Sequence, residues 1–213
     1  MAMVALYRRM AITRPREPHA FSIPAPADDL CLRFVNTRYW RGSPTPTETM
    51  LAPTDLDAFL LTEVRLPASS VGTADADALT RGLSVRELLH RLLAAQAQGR
   101  PPDTQDLRQL NDALRQAPMR AEVSLTPDGR SWLARGALDA AWLAPILWSA
   151  ADLLLGARAD RVRQCDNPAC GWLFLDDSKS GNRRWCAMTA CGNRAKARRH
   201  YAKVKARASE GGG

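Results

Sequence analysis

Lysine is almost missing from this chain. It occurs four times, at Lys179, Lys196, Lys203 and Lys205, and never earlier. Histidine is also scarce: His19, His90 and His200 lie far apart. No HExxH helix, nucleophile elbow or phosphate-cradling glycine loop accompanies them. These absences argue against an enzyme, and no catalytic residue is assigned. No apolar run approaches the roughly 18 to 20 residues of a membrane-spanning helix, so no membrane partner is expected. The opening MAMVALYRRMAITRP is broken by Arg8 and Arg9 and lacks a small-residue cleavage site after it. Residues 1–20 therefore read as a flexible, at most weakly helical extension. Repeats are absent, and the only low-complexity stretch is the final Gly-Gly-Gly.

Net charge is absent from most of the chain as well. The formal charge is +8, and residues 161–213 carry all of it, with 12 Lys+Arg against 4 Asp+Glu. Residues 1–160 balance at 18 of each. A neutral body with one basic end points to a polyanion as partner of that end. A solvated charged tail is the simpler alternative.

Cysteine is limited to five: Cys31 alone, then Cys165, Cys170, Cys186 and Cys191. An odd count with four clustered makes a poor disulfide framework and a good metal site, in keeping with a reducing, cytoplasmic setting.

The body, residues 21–158, reads as mainly helical α+β with a small hairpin. FSIPAP allows a short strand that Pro24 stops. Asp28 can cap a helix running to about Trp40, with Leu30, Cys31, Phe34 and Val35 on its buried face. That phase places Cys31 in the core. RGSPTPTE is a loop by composition. Thr54 opens a second helix, with Asp57 in the capping-box position. After a loop over Ser69–Ala78 and a short turn ending near Gly82, Ser84 and Glu87 form a capping box for a helix burying Leu88, Leu89, Leu92 and Leu93. Thr104 caps the next. MRAEVSL and RSWLARG flank Thr126-Pro127-Asp128-Gly129, a hairpin signal. Asp139 to Leu155 is a long buried helix, with a kink expected at Pro145.

The clustered thiols follow C-x4-C-x15-C-x4-C. Four thiolates close a tetrahedral shell around one structural Zn2+ and leave no position for an activated water. Asn167-Pro168, Gly171 and Gly192 are suitable turn residues. Between the pairs, Trp172 to Leu175 reads as a strand and Ser178 to Asn182 as a turn. The order of loop, hairpin and ligand-bearing helix is that of a treble-clef-like four-cysteine zinc finger. Buried or redox-active thiols, or an iron–sulfur cluster, are the competing readings. Zinc supplies on the order of 10 to 16 kcal/mol in finger-sized systems. Chelation is therefore expected to unfold this end and spare the body.

A helix from Asn193 to about Ala208 would line Ala197, Tyr201, Val204 and Ala208 along one apolar stripe. The remaining faces would carry Arg194, Lys196, Arg198, Arg199 and Lys203. Lys179, Arg183 and Arg184 extend the patch. With Asn193 these are the candidate contacts to double-stranded DNA: lysines for phosphate, arginines near the helix start for guanine edges. Trp172, Phe174 and Trp185 read as core of a small module more readily than as base-stacking platforms.

CDNPACGWLFLDDSKSGNRRWCAMTACGNRAKARRHYAK closely resembles the CGNR zinc finger, named for Cys191-Gly192-Asn193-Arg194. DDLCLRFVNTRYWRG resembles the opening helix of the ABATE domain usually joined to it. The resemblance implies a bacterial stress-induced transcriptional regulator. Residues 161–208 would be its DNA-binding finger, with Cys165, Cys170, Cys186 and Cys191 on zinc. Residues 21–158 would be an ABATE-like regulatory or dimerisation domain. A small-molecule effector would bind there, and Asn36, Arg38 and Arg41 (with Thr37) are the polar residues at a helix end to inspect for its pocket. A homodimer is also compatible. Two other functions stay open: a zinc-stabilised protein-interaction module, and an RNA or single-strand binder.

Overall fold

The computed structural model describes residues 20–66, 74–126, 129–135 and 141–210. The proposed extension over residues 1–19, the centre of the hairpin turn at 127–128 and the start expected for the last body helix lie outside the described residues.

Strand β1 (Ala20–Pro24) ends at its proline, as expected. It pairs antiparallel with β5 (Gly129–Arg135), which pairs antiparallel with β4 (Met119–Thr126), giving a sheet of order β1-β5-β4. Helices α1 (Leu30–Val35), α3 (Ala76–Ala97) and α5 (Ala144–Leu155) supply most of the remaining core. Short strands β2 (Arg38–Tyr39) and β3 (Thr47–Glu48) pair beside α1, followed by α2 (Pro53–Phe59). Helix α4 (Thr104–Gln116) packs on α3. In the basic region β6 (Val162–Gln164) pairs with β7 (Leu173–Leu175), and α6 runs from Asn193 to Glu210. Among the described residues no helix is long and apolar enough to cross a membrane.

Several boundaries differ from the sequence reading. Helix α1 stops at Val35 rather than near Trp40, because Arg38 and Tyr39 enter a strand and Trp40 adopts a left-handed φ of 56°. Helix α2 is not capped by Thr54. The Asp55 carboxylate instead accepts from the Leu51 and Ala52 N–H groups, and Pro53 occupies the first turn, where its missing N–H costs nothing. Ser84 and Glu87 form no capping box. Both lie inside α3, a single 22-residue helix capped by Asp75, and the Ser84 hydroxyl donates to the Thr80 carbonyl. Gly82 does not end a helix either; it gives the Trp142 ring room to pack. Asp103, one residue before Thr104, caps α4. Pro145 produces no kink because α5 starts at Ala144, so the proline sits in the first turn.

Candidate metal centre and nucleic-acid interface

Strand β6 leads into the turn that carries Cys165 and Cys170, and β7 returns from it. The Cys165 N–H donates to the Trp172 carbonyl at 2.9 Å, closing the turn. Cys186 precedes a π-type turn, Met188–Gly192, that contains Cys191 and runs directly into α6. All four sulfurs lie within 4.8 Å of one another. Cys186 Sγ stands 3.8 Å from Cys170 Sγ and 3.7 Å from Cys191 Sγ. Sulfurs held about 2.3 Å from one tetrahedral ion stand about 3.8 Å apart, far beyond a disulfide. The donor set, its spacing and its closed shell fit one structural zinc ion held by Cys165, Cys170, Cys186 and Cys191.

Burial and mutual proximity oppose ionisation of these thiols, a cost that a bound dication offsets. Burial, with Cys186 nearby, pushes the Cys165 thiol up to about 11. Cys186 is raised as well, first by its contact with Cys170 and then by burial. Four close thiols resist ionising together unless a dication joins them. Asn167 is the partner that sequence reading missed. It was visible only as a turn residue, yet it is buried and its amide donates to Cys191 Sγ at 3.4 Å. Such a donor stabilises thiolate charge and fixes the ligand. Cys31, by contrast, is fully buried with its thiol raised to about 11 by that burial, and it stays a core residue.

The N-terminal region grips this centre. The Arg41 N–H donates to the Cys170 carbonyl at 3.2 Å. A methyl group added at Gly42 would stand 1.9 Å from the Pro168 carbonyl oxygen. Gly171 has a φ of +68°, and a Cβ there would meet Arg41 Cβ at 2.8 Å, so glycine is required twice over. Trp40 packs on the cysteine cluster, and the Arg194 guanidinium lies 4.5 Å from its ring centre. His90 Nε2 approaches the Gly171 carbonyl at 3.3 Å. Burial, then Arg41, lowers the His90 pKa to about 4, so at neutral pH the ring is uncharged and its Nε2–H donates.

The three residues marked for an effector pocket belong largely to this grip. Asn36 is buried, its amide donating to the Leu173 carbonyl at 2.7 Å and accepting from the Leu173 N–H at 3.1 Å. It also borders a cleft. Arg41 donates to Glu87 at 2.6 Å and to the Val35 carbonyl at 2.9 Å, while Arg38 faces Glu87 at 3.7 Å. Beneath them Arg86, 2% exposed, clasps Glu48 through two bonds of 2.6 Å and also reaches Glu87. Burial opposes ionisation of Glu48 and Glu87, but Arg86 and Arg41 outweigh it and hold both carboxyls below their usual range.

The expected nucleic-acid residues separate into two groups. Arg183 stacks on Phe174 at 4.5 Å and donates to the carbonyls of Trp185 and Cys186. Arg184 donates to Asp166 at 2.5 Å, and Arg198 reaches Asn167 at 3.5 Å. Lys179, Lys196 and Arg199 are exposed, as is Lys205, and none has an ion pair among the described residues. Asn193 is exposed at the start of α6, and Lys203 lies further along that helix. Asp176 shapes the turn that presents Lys179. Its buried carboxylate accepts from the Ser178 hydroxyl and N–H and from the Arg183 N–H, and the Ser178 bond leads in holding its pKa down. These bonds support the turn expected over Ser178 to Asn182. The expected apolar stripe of α6 is not packed on the finger: Tyr201 is 72% exposed and Val204 51%.

Fold and four-thiolate centre together define a zinc-finger protein built against a mainly helical domain. Residues 161–204 match the CGNR zinc finger, and residues 28–157 match ABATE, described as "Putative stress-induced transcription regulator". The chain belongs to the ABATE family, and it is a zinc-binding, regulator-like protein. No curated protein matches it.

Proposed function

We propose that the protein is a transcriptional regulator of the bacterial cytoplasm whose finger binds double-stranded DNA, and that it acts by binding rather than by catalysis. On this reading the N-terminal region receives a signal or dimerises. The observation that carries it is the set of exposed cations without an ion pair among the described residues, Lys179, Lys196, Arg199 and Lys205, close in sequence to the four-cysteine centre. Lysine ammonium groups on a projecting helix suit phosphates as point charges. Arg194 suits a base edge: stacking on Trp40 fixes its guanidinium plane while the residue stays exposed, which reduces the entropy lost on bidentate binding.

The test is selection from random duplex fragments with the full-length, zinc-loaded protein, followed by salt titration of any enriched site. Four phosphate contacts predict a log–log salt slope of roughly −3 to −4. Lys196→Glu with Arg199→Glu should weaken all duplexes alike and flatten the slope. Arg194→Gln should chiefly reduce discrimination between sequences. No salt-sensitive duplex binding would sink the reading. Exposed Tyr201 and Val204 favour a second reading, a protein partner on α6; salt-insensitive partner capture that Tyr201→Ser abolishes would point there.

A further inference from the structure

A cleft of about 730 Å3 opens where α1 and β2 of the N-terminal region meet β7 of the finger. Its volume lies in the range of small-molecule sites, which favour such junctions between units. Of the four aromatic residues that line it, the buried Phe59 and Phe174 lie with the core, while Tyr39 and Trp172 are partly exposed, with centroids 6.3 Å apart and planes tilted by 55°.

The lips of the cleft are charged in a particular way. On one side Arg33 is shared by Asp29 at 3.1 Å and Glu63 at 2.8 Å. On the other, Arg158 is shared by Asp28 at 3.0 Å and by Asp177 of the finger turn. Each guanidinium serves two carboxylates, which leaves one net negative charge on each lip. An anion entering here would meet repulsion from both sides. A cation would meet two acidic lips and two lining aromatic rings, the combination that selects ammonium and quaternary ammonium groups.

We infer that this interdomain cleft is a binding site for a small organic cation carrying an aromatic or aliphatic body, held by Tyr39 and Trp172 and by the acidic lips. The inference deepens the reading that the N-terminal region receives a signal and does not depend on DNA binding. The ammonium group would lie against the rings, beneath Glu63 and Asp177, and its apolar body would fill the floor. The site exists only while the finger is docked, since Trp172 and Asp177 come from the finger and the other named groups from the body.

Isothermal titration of full-length, zinc-loaded protein, with no DNA present, tests this with phenyltrimethylammonium as probe. Benzyl alcohol and benzenesulfonate serve as neutral and anionic controls. Saturable binding of the cation is expected in the submillimolar to millimolar range, with benzyl alcohol at least about tenfold weaker and benzenesulfonate undetected. Asp177→Asn and, separately, Glu63→Gln remove one lip charge each from exposed or partly exposed positions and should each weaken the cation several-fold without changing metal content. Tyr39→Leu should weaken it about tenfold. Absence of saturable heat, equal binding of cation and alcohol, or full retention of affinity in both lip variants would overturn the inference. Since the titration contains no DNA, failure of duplex binding leaves this result standing, and the reverse holds as well.

Discussion

The two ends of the molecule use arginine and lysine in opposite ways. In the body, whose charges balance at 18 of each sign, Arg33, Arg41, Arg86, Arg91, Arg120, Arg135 and Arg158 each face a carboxylate. In the finger, α6 sends Lys196, Arg199 and Lys205 into solvent with no carboxylate beside them among the described residues. These body arginines are paired with carboxylates, at the surface as well as around buried Arg86; charge on α6 is directed outward. The dividing line is not a clean domain boundary, however. Val162 and Leu173 of the finger strands belong to the body's buried core, and Trp40 of the body belongs to the cysteine cluster.

Zinc removal tests that shared core with the largest expected effect. Loss of an ion that supplies on the order of 10 to 16 kcal/mol in finger-sized systems should unfold α6 and the cysteine turns. Because Leu173 is anchored through Asn36, and Val162 lies under α3, the body should melt earlier too rather than be spared. Circular dichroism melts and limited proteolysis, with and without chelator and for Cys191→Ser, check it. A body transition unmoved by chelation would restore the simpler picture of an independent finger.

Gly42→Ala comes next. The added methyl would meet backbone, the Pro168 carbonyl at 1.9 Å, and backbone cannot rotate away as a side chain can. A loss above about 3 kcal/mol is expected in urea denaturation, in the range of severe steric lesions. Zinc should also be surrendered to chelator more quickly. A loss under about 1 kcal/mol would mean that the grip on the finger is loose.

His90 gives a smaller, pH-dependent effect. Its folded pKa of about 4 lies below the roughly 6.5 of an unfolded histidine, so the unfolded chain takes up the proton first. Its contribution is therefore full above about pH 6.5 and is lost as pH falls towards 4, a change on the order of 2 kcal/mol. His90→Gln should lack that slope. Denaturation series at about pH 7.5 and about pH 5 on both proteins, in equal zinc, would show the gap between them narrowing in acid; a constant gap would rule the histidine out.

The sequence carried the metal centre and the charge asymmetry because both are written locally, in spacing and in composition. Cysteine spacing sufficed to bring four sulfurs together. The hairpin, β1 and the buried face of α1 were equally readable, since alternation and period report burial. Helix starts were harder. Ser84 has the composition of a cap, but its hydroxyl satisfies a carbonyl inside a longer helix, and tertiary packing around Gly82 lets the helix continue. The grip on the finger could not be read at all. Trp40, Gly42 and Asn36 become meaningful only beside Arg194, Pro168 and Leu173, more than a hundred residues away. The apolar stripe of α6 misled for a related reason: periodicity predicts that a face exists, but it does not supply a surface to cover it.

The smallest expected change in stability separates the two uses of charge most cleanly. Lys196→Glu with Arg199→Glu removes two cations that touch no carboxylate among the described residues, so folding should change by no more than about 0.5 kcal/mol. Acidic groups near a helix start complement the positive end of its dipole, which offsets part of any loss. The same kind of reversal in the body, Arg86→Glu, would place an unpaired charge among Glu48 and Glu87 and cost on the order of 3 to 5 kcal/mol. Urea titrations of the two variants side by side measure the contrast. Comparable losses would mean that the α6 cations stabilise the fold after all, and the division between paired and outward charge would fail.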